Sequence, residues 1–466
     1  MPGGSKRAFM QDLTKGPVTG HLMKTASFML VTMLFQTLYF LVDLYWVGHI
    51  STDAVAAVAI AGNLTFIVLA LTQVLGVGTT TLVSHAAGRR DHEYGLLVFN
   101  QSQVLSMLFG LVVFVVGFTT RHRYASAMSA DPGTATLAAE YLFWFMPAMG
   151  LQFAMVAMGS ALRGLGNFKP GMVVQTTTVI LNLLLAPVLM FGWGTGRPMG
   201  VAGAALSTLI AVLVGVLWLT TYFLKKDSFL TFTVRDWKPD LKVWGKMLGI
   251  GLPSGFEFAL MAVYLFLVYS VIKPFGAEAQ AGFGVGQRVI QALFMPVVAL
   301  GFAVAPVAGQ NFGAKLGQRV RDTYKNAAFM ALALMTFFAF LCHIAPGAMI
   351  DVFTDDPKVV EIGTQFLKIV SWNFMASGVI YVNSSMFQAM GNTLPSLATS
   401  ATRIVVVGVP VLWLSGQPGF QLQWIWYFSV AGTLVQIALS QWLLSREFAK
   451  KLNTADASLQ PEPVLD

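Results

Sequence analysis

Apolar runs of about twenty residues recur along the whole chain. There are twelve, at roughly 25–46, 55–84, 96–118, 136–158, 171–192, 200–224, 247–272, 279–309, 326–346, 361–388, 396–414 and 423–445. Each is long enough to cross a hydrocarbon core about 30 Å thick as a helix. Lipid satisfies no backbone hydrogen bond, so a chain of this kind can only be a helix bundle or a closed barrel. Runs of this length predict an all-α membrane protein of twelve transmembrane helices. The charge content agrees: 11% of the residues are charged and the mean hydropathy is +0.68, against about 25% charge in a soluble domain. The first 24 residues are polar and no small-residue cleavage site follows the first run, so no removable leader is expected.

The formal charge of +8 reflects where the loops lie. With a cytoplasmic N-terminus, one side of the membrane holds Lys6, Arg7, Lys15, Lys24, Arg89, Arg90, Arg163, Lys169, Lys225, Lys226, Arg235, Lys238, Lys242, Lys246, Lys315, Arg319, Arg321, Lys325, Arg446, Lys450 and Lys451. The other side holds only Arg121, Arg123, Arg197, Lys273 and Lys358. Twenty-one against five places both termini inside a bacterial inner membrane by the positive-inside rule. No basic patch with interleaved aromatics lies outside these short loops, so a nucleic-acid partner has no support. The single cysteine, Cys342, excludes an internal disulfide and a cysteine metal cluster. "GVGTTT" is no phosphate loop, because no Lys follows and the segment is a membrane helix. There is no nucleotide site, catalytic triad, metal site or cofactor signature, and an enzyme is not expected.

Two sequence matches share one offset. "LGVGTTTLVSHAAGRRD" from Leu75 meets "LGFAVAPVAGQNFGAKL" from Leu300, and "RGLGNFKP" from Arg163 meets "QAMGNTLP" from Gln388, each 225 residues on. Gly76 thus pairs with Gly301, Gly88 with Gly313, Gly166 with Gly391, Asn167 with Asn392 and Pro170 with Pro395. Six spans per half is an even number, so both halves enter from the same side and the repeats are parallel. The expected organisation is a cytoplasmic segment (1–24), an N-lobe of six helices (25–224), a cytoplasmic linker (225–246), a C-lobe of six helices (247–445) and a cytoplasmic tail (446–466). A central cleft between two such lobes could open to either side by rocking.

The charged residues inside this apolar frame are few. Asp43 stands within "LVDLYWVGHI", and Gln36, Tyr39 and Asp43 share one helix face. Asp43 is either a hydrated structural group near the outer interface or a functional intramembrane carboxylate, and the polar stripe favours the second. Burial favours the neutral form of a carboxyl, so such a group can take a proton on one side and release it on the other. One charge crossing 100 mV yields about 2.3 kcal/mol, which supports roughly a 50-fold gradient of a neutral solute. Glu257 lies mid-run in "PSGFEFALMAVYLF". It is either a coupling group or the structural partner of Arg288 or Lys368. Arg403 and His343 read as structural. Candidates for lining the cleft are Met33, Gln36, Tyr39, Phe153, Met155, Met261, Arg288 and Phe294. They are chosen because Met adapts to irregular ligands and aromatic faces attract cations.

The order of "LVDLYWVGHI", "AVAAVAIAGN", "LVSHAAGRRD", "ALRGLGNFKP", "GLPSGFEFALM", "GVGQRV" and "VAGQNFGAKLGQRVR" resembles the multidrug and toxic compound extrusion family, the MATE transporters. The likeness covers nearly all of residues 10 to 450 and is to bacterial members, of the NorM-like or the DinF-like branch. The resemblance implies export of bulky, often cationic and aromatic compounds, driven by inward H⁺ or Na⁺. It maps the N-lobe ion or proton site to Asp43 and to Asn182 in "NLLLAP", with Ala186 where the family's second polar residue stands. It maps a C-lobe glutamate to Glu257. The aspartate that NorM-like members carry in the tenth helix falls near Ser377, in a span with no Asp or Glu, and the family's first-helix proline falls at Phe28. Losing an oxygen ligand harms a hard cation more than a proton, so an H⁺-coupled antiporter is expected, acting as a monomer, with Na⁺ coupling as the alternative. The rival within the same fold group is a flippase for a lipid-linked saccharide. It would need a strongly basic cavity, and only Arg288, Lys368 and Arg403 are embedded. A membrane enzyme would need clustered His and carboxylates, and a channel would not need single carboxylates in each half.

Overall fold

The structure is a computed structural model that describes residues 11–194, 196–224 and 229–452. Lys6 and Arg7, Lys225 and Lys226, and most of the expected tail lie outside the described residues. Fourteen α-helices occur among the described residues. In the first half they are α1 (Val18–Gly48), α2 (Thr52–Arg89), α3 (His92–Met128), α4 (Pro132–Gly164), α5 (Phe168–Phe191) and α6 (Val201–Leu224). In the second they are α7 (Leu241–Ile272), α8 (Ala277–Gly313), α9 (Gly317–Ile344), α10 (Pro346–Asp351), α11 (Pro357–Val370), α12 (Asn373–Ala389), α13 (Leu394–Ser415) and α14 (Leu422–Lys451).

Local chemistry sets the helix ends. Ser51, Asp91 and Asp131 accept from the backbone N–H groups of Ala54, Tyr94 and Thr134, at 3.0, 3.1 and 2.9 Å, satisfying donors that a helix start leaves open. Pro132, Pro346 and Pro357 stand in first turns, where a missing N–H costs nothing.

Among the described residues, eleven helices are long and apolar enough to cross a bilayer. The tenth crossing differs from the single helix expected over 361–388, because it is made by α11 and α12 with a break at Ser371 and Trp372. There the Phe374 N–H bonds Ser371 O rather than the carbonyl four residues back, tightening the turn. The equivalent first-half position is Pro147, inside an unbroken α4. The expected linker is also shorter than 225–246, since α7 already begins at Leu241.

The described residues fall into two compact units. The first takes in 11–12 and 28–255, the second 13–27 and 256–452. Two helices are therefore divided between units: α1 at Ser27/Phe28 and α7 at Gly255/Phe256. In the second unit, Leu13 N–H donates to Gln310 Oε1 at 3.0 Å, and Arg319 Nε donates to Asn311 Oδ1 at 2.9 Å. In the first, the opening half of α7 lies against α2 so closely that a Cβ on Gly251 would overlap the Val74 carbonyl.

At several turns and crossings the two units follow one plan at the 225-residue offset. Arg90 and Lys315 are the only described non-glycine residues in the left-handed region, at φ 57° and 59°. Each ends its helix with the same bonds, Arg90 N–H to Ala87 O and Lys315 N–H to Phe312 O. Gly166 and Gly391 turn the chain at φ 73° and 71°. Gly76 admits Ser160 where Gly301 admits Ser385, with 3.1 and 3.0 Å left for a Cβ.

A strap joins α6 to α7 and is fastened to α3. Asn100 Nδ2 donates to Thr231 O at 3.0 Å, while its Oδ1 accepts from Thr233 N–H and Trp237 Nε1 at 2.9 and 3.0 Å. Gln101 Nε2 donates to the Asp236 and Lys238 carbonyls, and its Oε1 accepts from Asp240 N–H. Both side chains are fully buried, and this bonding is what makes their burial tolerable.

Candidate functional site

Each unit sets one carboxylate of its apolar runs beside neutral oxygens and amides: Asp43, which is buried, and Glu257, which is half-buried. In the first unit α1 carries Tyr39 and Asp43 one turn apart. Asn182 comes from α5, and Ser207 and Thr208 from α6, which packs along α5. Asn182 Nδ2 donates to Thr208 Oγ1 at 2.9 Å, and Ser207 Oγ donates to Asn182 Oδ1 at 3.3 Å. Tyr39 Oη lies 3.2 Å from Thr208 Oγ1. Thr208 is therefore the hub of the network: it joins the tyrosine of α1 to the asparagine of α5. Asp43 is 8% exposed, and its Oδ1 is buried with no hydrogen-bond partner among the described residues. Tyr39 and the buried Tyr141 of α4 lie within reach of its charge. Ala186, 1% exposed, puts a methyl group on α5 one turn after Asn182.

In the second unit Glu257 accepts from Ser396 Oγ, which lies 3.1 Å from both carboxylate oxygens, and from Ser400 Oγ at 2.8 Å. Ser396 and Ser400 stand one turn apart on α13. Ser384 of α12 lies 2.7 Å from Ser396 Oγ, and Gln436 Nε2 of α14 donates to Ser400 Oγ at 3.4 Å. Neither Arg288 nor Lys368 forms an ion pair with Glu257 among the described residues. Arg403 instead places its guanidinium 5.0 Å from the Tyr264 ring centroid, and Tyr264 Oη donates to Ser429 Oγ at 3.1 Å.

The two carboxylates are not equivalents. Asp43 corresponds at the 225 offset to Val268, and Glu257 to Thr32. The equivalent of Tyr39 is Tyr264, and each tyrosine reaches a hydroxyl on the last helix of its own half. The halves share this brace and then place their acids at different heights.

The remaining sequence candidates scatter. Gln36 is exposed and Met33 half-buried on α1. Phe153 is fully buried, with its ring edge-on to Phe109 at 6.1 Å. It packs in the core of the first unit. Met155 is buried and packs where Gly215 leaves room. Met261 and Arg288 are exposed, and Phe294 lies edge-on to Phe374 at 5.0 Å. His343 is satisfied structurally: Nδ1 lies 2.8 Å from Ala339 O, and the ring meets Trp372 at 5.0 Å. No cluster of three or more His, Cys, Asp or Glu able to hold a metal occurs among the described residues.

Sequence reasoning missed Ser207, Thr208, Ser396 and Ser400. The first pair bonds back to Ala204 O, as hydroxyls in membrane helices commonly do, so nothing in the sequence set them apart. Ser396 and Ser400 did carry a signal, the i, i+4 spacing just after Pro395.

Known proteins of the same build supply the identification. The probable multidrug resistance protein YoeA of Bacillus subtilis is 27% identical over 88% of this chain and 90% of its own length. The multidrug export protein MepA of Staphylococcus aureus is 24% identical over 91% and 93%. Among solved structures, one described as the outward-facing conformation of a multidrug resistance MATE family transporter of the MOP superfamily has a TM-score of 0.87, at 23% identity over 95% of this chain and 98% of that one. A MOP superfamily transporter from Pyrococcus furiosus, whose description speaks of a binding pocket of reverse polarity, has a TM-score of 0.85 at 23% identity over 94% and 97%. These structural likenesses establish the fold. The MatE family profile matches residues 29–188 and 253–414, once in each half, and the chain is a member of the MatE family of multi-pass membrane transporters.

Proposed function

We propose that this chain is a secondary active antiporter that exports bulky, often cationic or aromatic compounds in exchange for protons. The drug-export part rests on membership of the MatE family and on relatives named as multidrug resistance and export proteins. The ion part rests on Asp43. Its Oδ1 is buried without a partner among the described residues, and the α5 position one turn after Asn182 offers only the methyl of Ala186. A proton neutralises one carboxylate oxygen by a single bond. Na⁺ asks for several oxygens at once, as hard cations do.

Protonation of Asp43 removes the one formal charge beside a neutral network of Tyr39, Asn182, Ser207 and Thr208. Neutralising it changes the cost of burying α1 against its unit, which is the differential term a two-state switch requires. Asn182 can act as donor or acceptor to either form of the acid. Glu257 is the second proposed coupling group. Its two serine donors complement an ionised carboxylate, and alternating access between two lobes would carry the exchange. The proposed setting is a bacterial plasma membrane with both termini cytoplasmic, the protein acting as a monomer.

The test is drug export from proteoliposomes, with a pH gradient or a Na⁺ gradient imposed alone. Export is expected under the pH gradient without Na⁺. Export driven by Na⁺ at constant pH, with no response to a pH gradient, would overturn the ion assignment and leave the drug-export reading standing.

A further inference from the structure

Away from the two carboxylate networks, one cavity of about 390 Å³ carries charges that the transport reading does not use. It lies in the first unit, between the end of α3 and the start of α4, with Ala202 of α6 on its wall. Arg121 is held rigidly there. Its guanidinium stands 4.3 Å from the Phe118 ring centroid and 5.5 Å from that of Phe143, and Nη1 donates to Phe118 O at 2.6 Å. Most of its donors remain free to face a ligand. Glu140 lines the same cavity, is exposed, and has no hydrogen bond or ion pair among the described residues. A fixed cation and a carboxylate thus share one cavity without pairing.

The surroundings say where this cavity lies. Arg121 stands three residues past the apolar run 96–118, after Thr119 and Thr120, and Glu140 directly precedes "YLFWFMPAM". The cavity is therefore at the rim of the apolar zone, where aromatic residues such as Trp144 concentrate in membrane proteins. Below Glu140 on the same face of α4 come Trp144, Pro147 and Leu151, spaced by i+4, i+7 and i+11, all half-exposed. A polar cavity carrying both charges thus opens onto an apolar strip.

We propose that this cavity binds the headgroup of an aminophospholipid. Arg121 takes the phosphodiester, as guanidinium does wherever planar, multidentate recognition of phosphate is needed. Glu140 takes the primary ammonium, and an acyl chain follows the strip below. A simple organic cation would suit Glu140 and be repelled by Arg121. A simple anion would suit Arg121 and leave Glu140 uncompensated. A ligand with both charges a few bonds apart satisfies both. The inference is independent of which ion drives transport.

The experiment is native mass spectrometry of the delipidated full-length protein, titrated with phosphatidylethanolamine, phosphatidylglycerol or inorganic phosphate. The first equivalent of phosphatidylethanolamine should bind about tenfold more tightly than phosphatidylglycerol, the gain of one charge-assisted contact. Glu140→Gln should erase that preference while leaving phosphatidylglycerol binding unchanged, and Arg121→Gln should weaken both lipids. Equal binding of the two lipids by the unaltered protein would overturn the proposal, as would a preference that survives Glu140→Gln. Displacement of the lipid by inorganic phosphate at similar concentration would also overturn it, by assigning the cavity to free phosphate.

Discussion

Asn392 Nδ2 donates to Glu447 Oε1 at 3.0 Å, and 225 residues earlier Asn167 Nδ2 donates to Tyr222 Oη at 3.2 Å. Both members of each pair obey the same offset, so the repeat extends from motifs to contacts. In each half the asparagine after the fourth crossing ties its turn to the end of the sixth. The second half has replaced a phenol by a carboxylate and added Lys451 Nζ, 2.8 Å from Glu447 Oε1.

That replacement sets the expected difference between the two ties. Asn392→Ala should destabilise the purified protein by about 1.5–3 kcal/mol, the range for hydrogen bonds to charged groups, and Asn167→Ala by about 0.5–1.5 kcal/mol. Thermal unfolding of both variants in the same detergent checks the order. Equal losses would show that the charge on Glu447 adds nothing.

The crossing of α2 and the first half of α7 depends on a missing Cβ. Gly251→Ala should cost about 1–3 kcal/mol, because backbone rather than a flexible side chain would have to move. Gly249→Ala, with nothing within 4 Å of its Cβ, should be neutral or slightly stabilising. Comparable losses in both would contradict the close approach.

Asn100 fastens the strap between the halves. Asn100→Ala removes an acceptor for Thr233 N–H and Trp237 Nε1 together, so the strap should open more often. Tryptic cleavage after Arg235 should quicken about tenfold, for roughly 1.4 kcal/mol of lost local stability. An unchanged cleavage rate would mean that Gln101 alone holds the strap.

The hydroxyl of Thr208 accepts from Asn182 and faces Tyr39. Thr208→Val keeps the shape and removes both contacts, so proton-driven export should fall while Thr208→Ser stays near the unaltered rate. Matching rates for all three proteins in reconstituted export would remove Thr208 from the coupling network.

How much of this was legible in the sequence depends on the range of the force involved. Helices, spans and the offset could be read because apolar length and turn chemistry are local: Gly166, Asn167 and Pro170 mark a turn wherever they occur. The left-handed Arg90 and Lys315 could not be anticipated, since neither type favours that conformation. The break at Ser371 and Trp372 was hidden because both residues sit in an otherwise continuous helical pattern. Asp43 and Glu257 stood out, since a carboxylate in an apolar run is conspicuous. Their partners did not, because which serine or threonine meets an acid depends on how distant helices pack. The division of α1 and α7 between units is likewise a matter of tertiary packing.

The central claim is that Asp43 carries the proton that drives export. Asp43→Asn keeps the size of the side chain and fixes it neutral. In proteoliposomes with an imposed pH gradient, this variant should lose uphill drug export while still exchanging labelled for unlabelled drug at equilibrium. Uphill export by Asp43→Asn at near the unaltered rate would contradict the account.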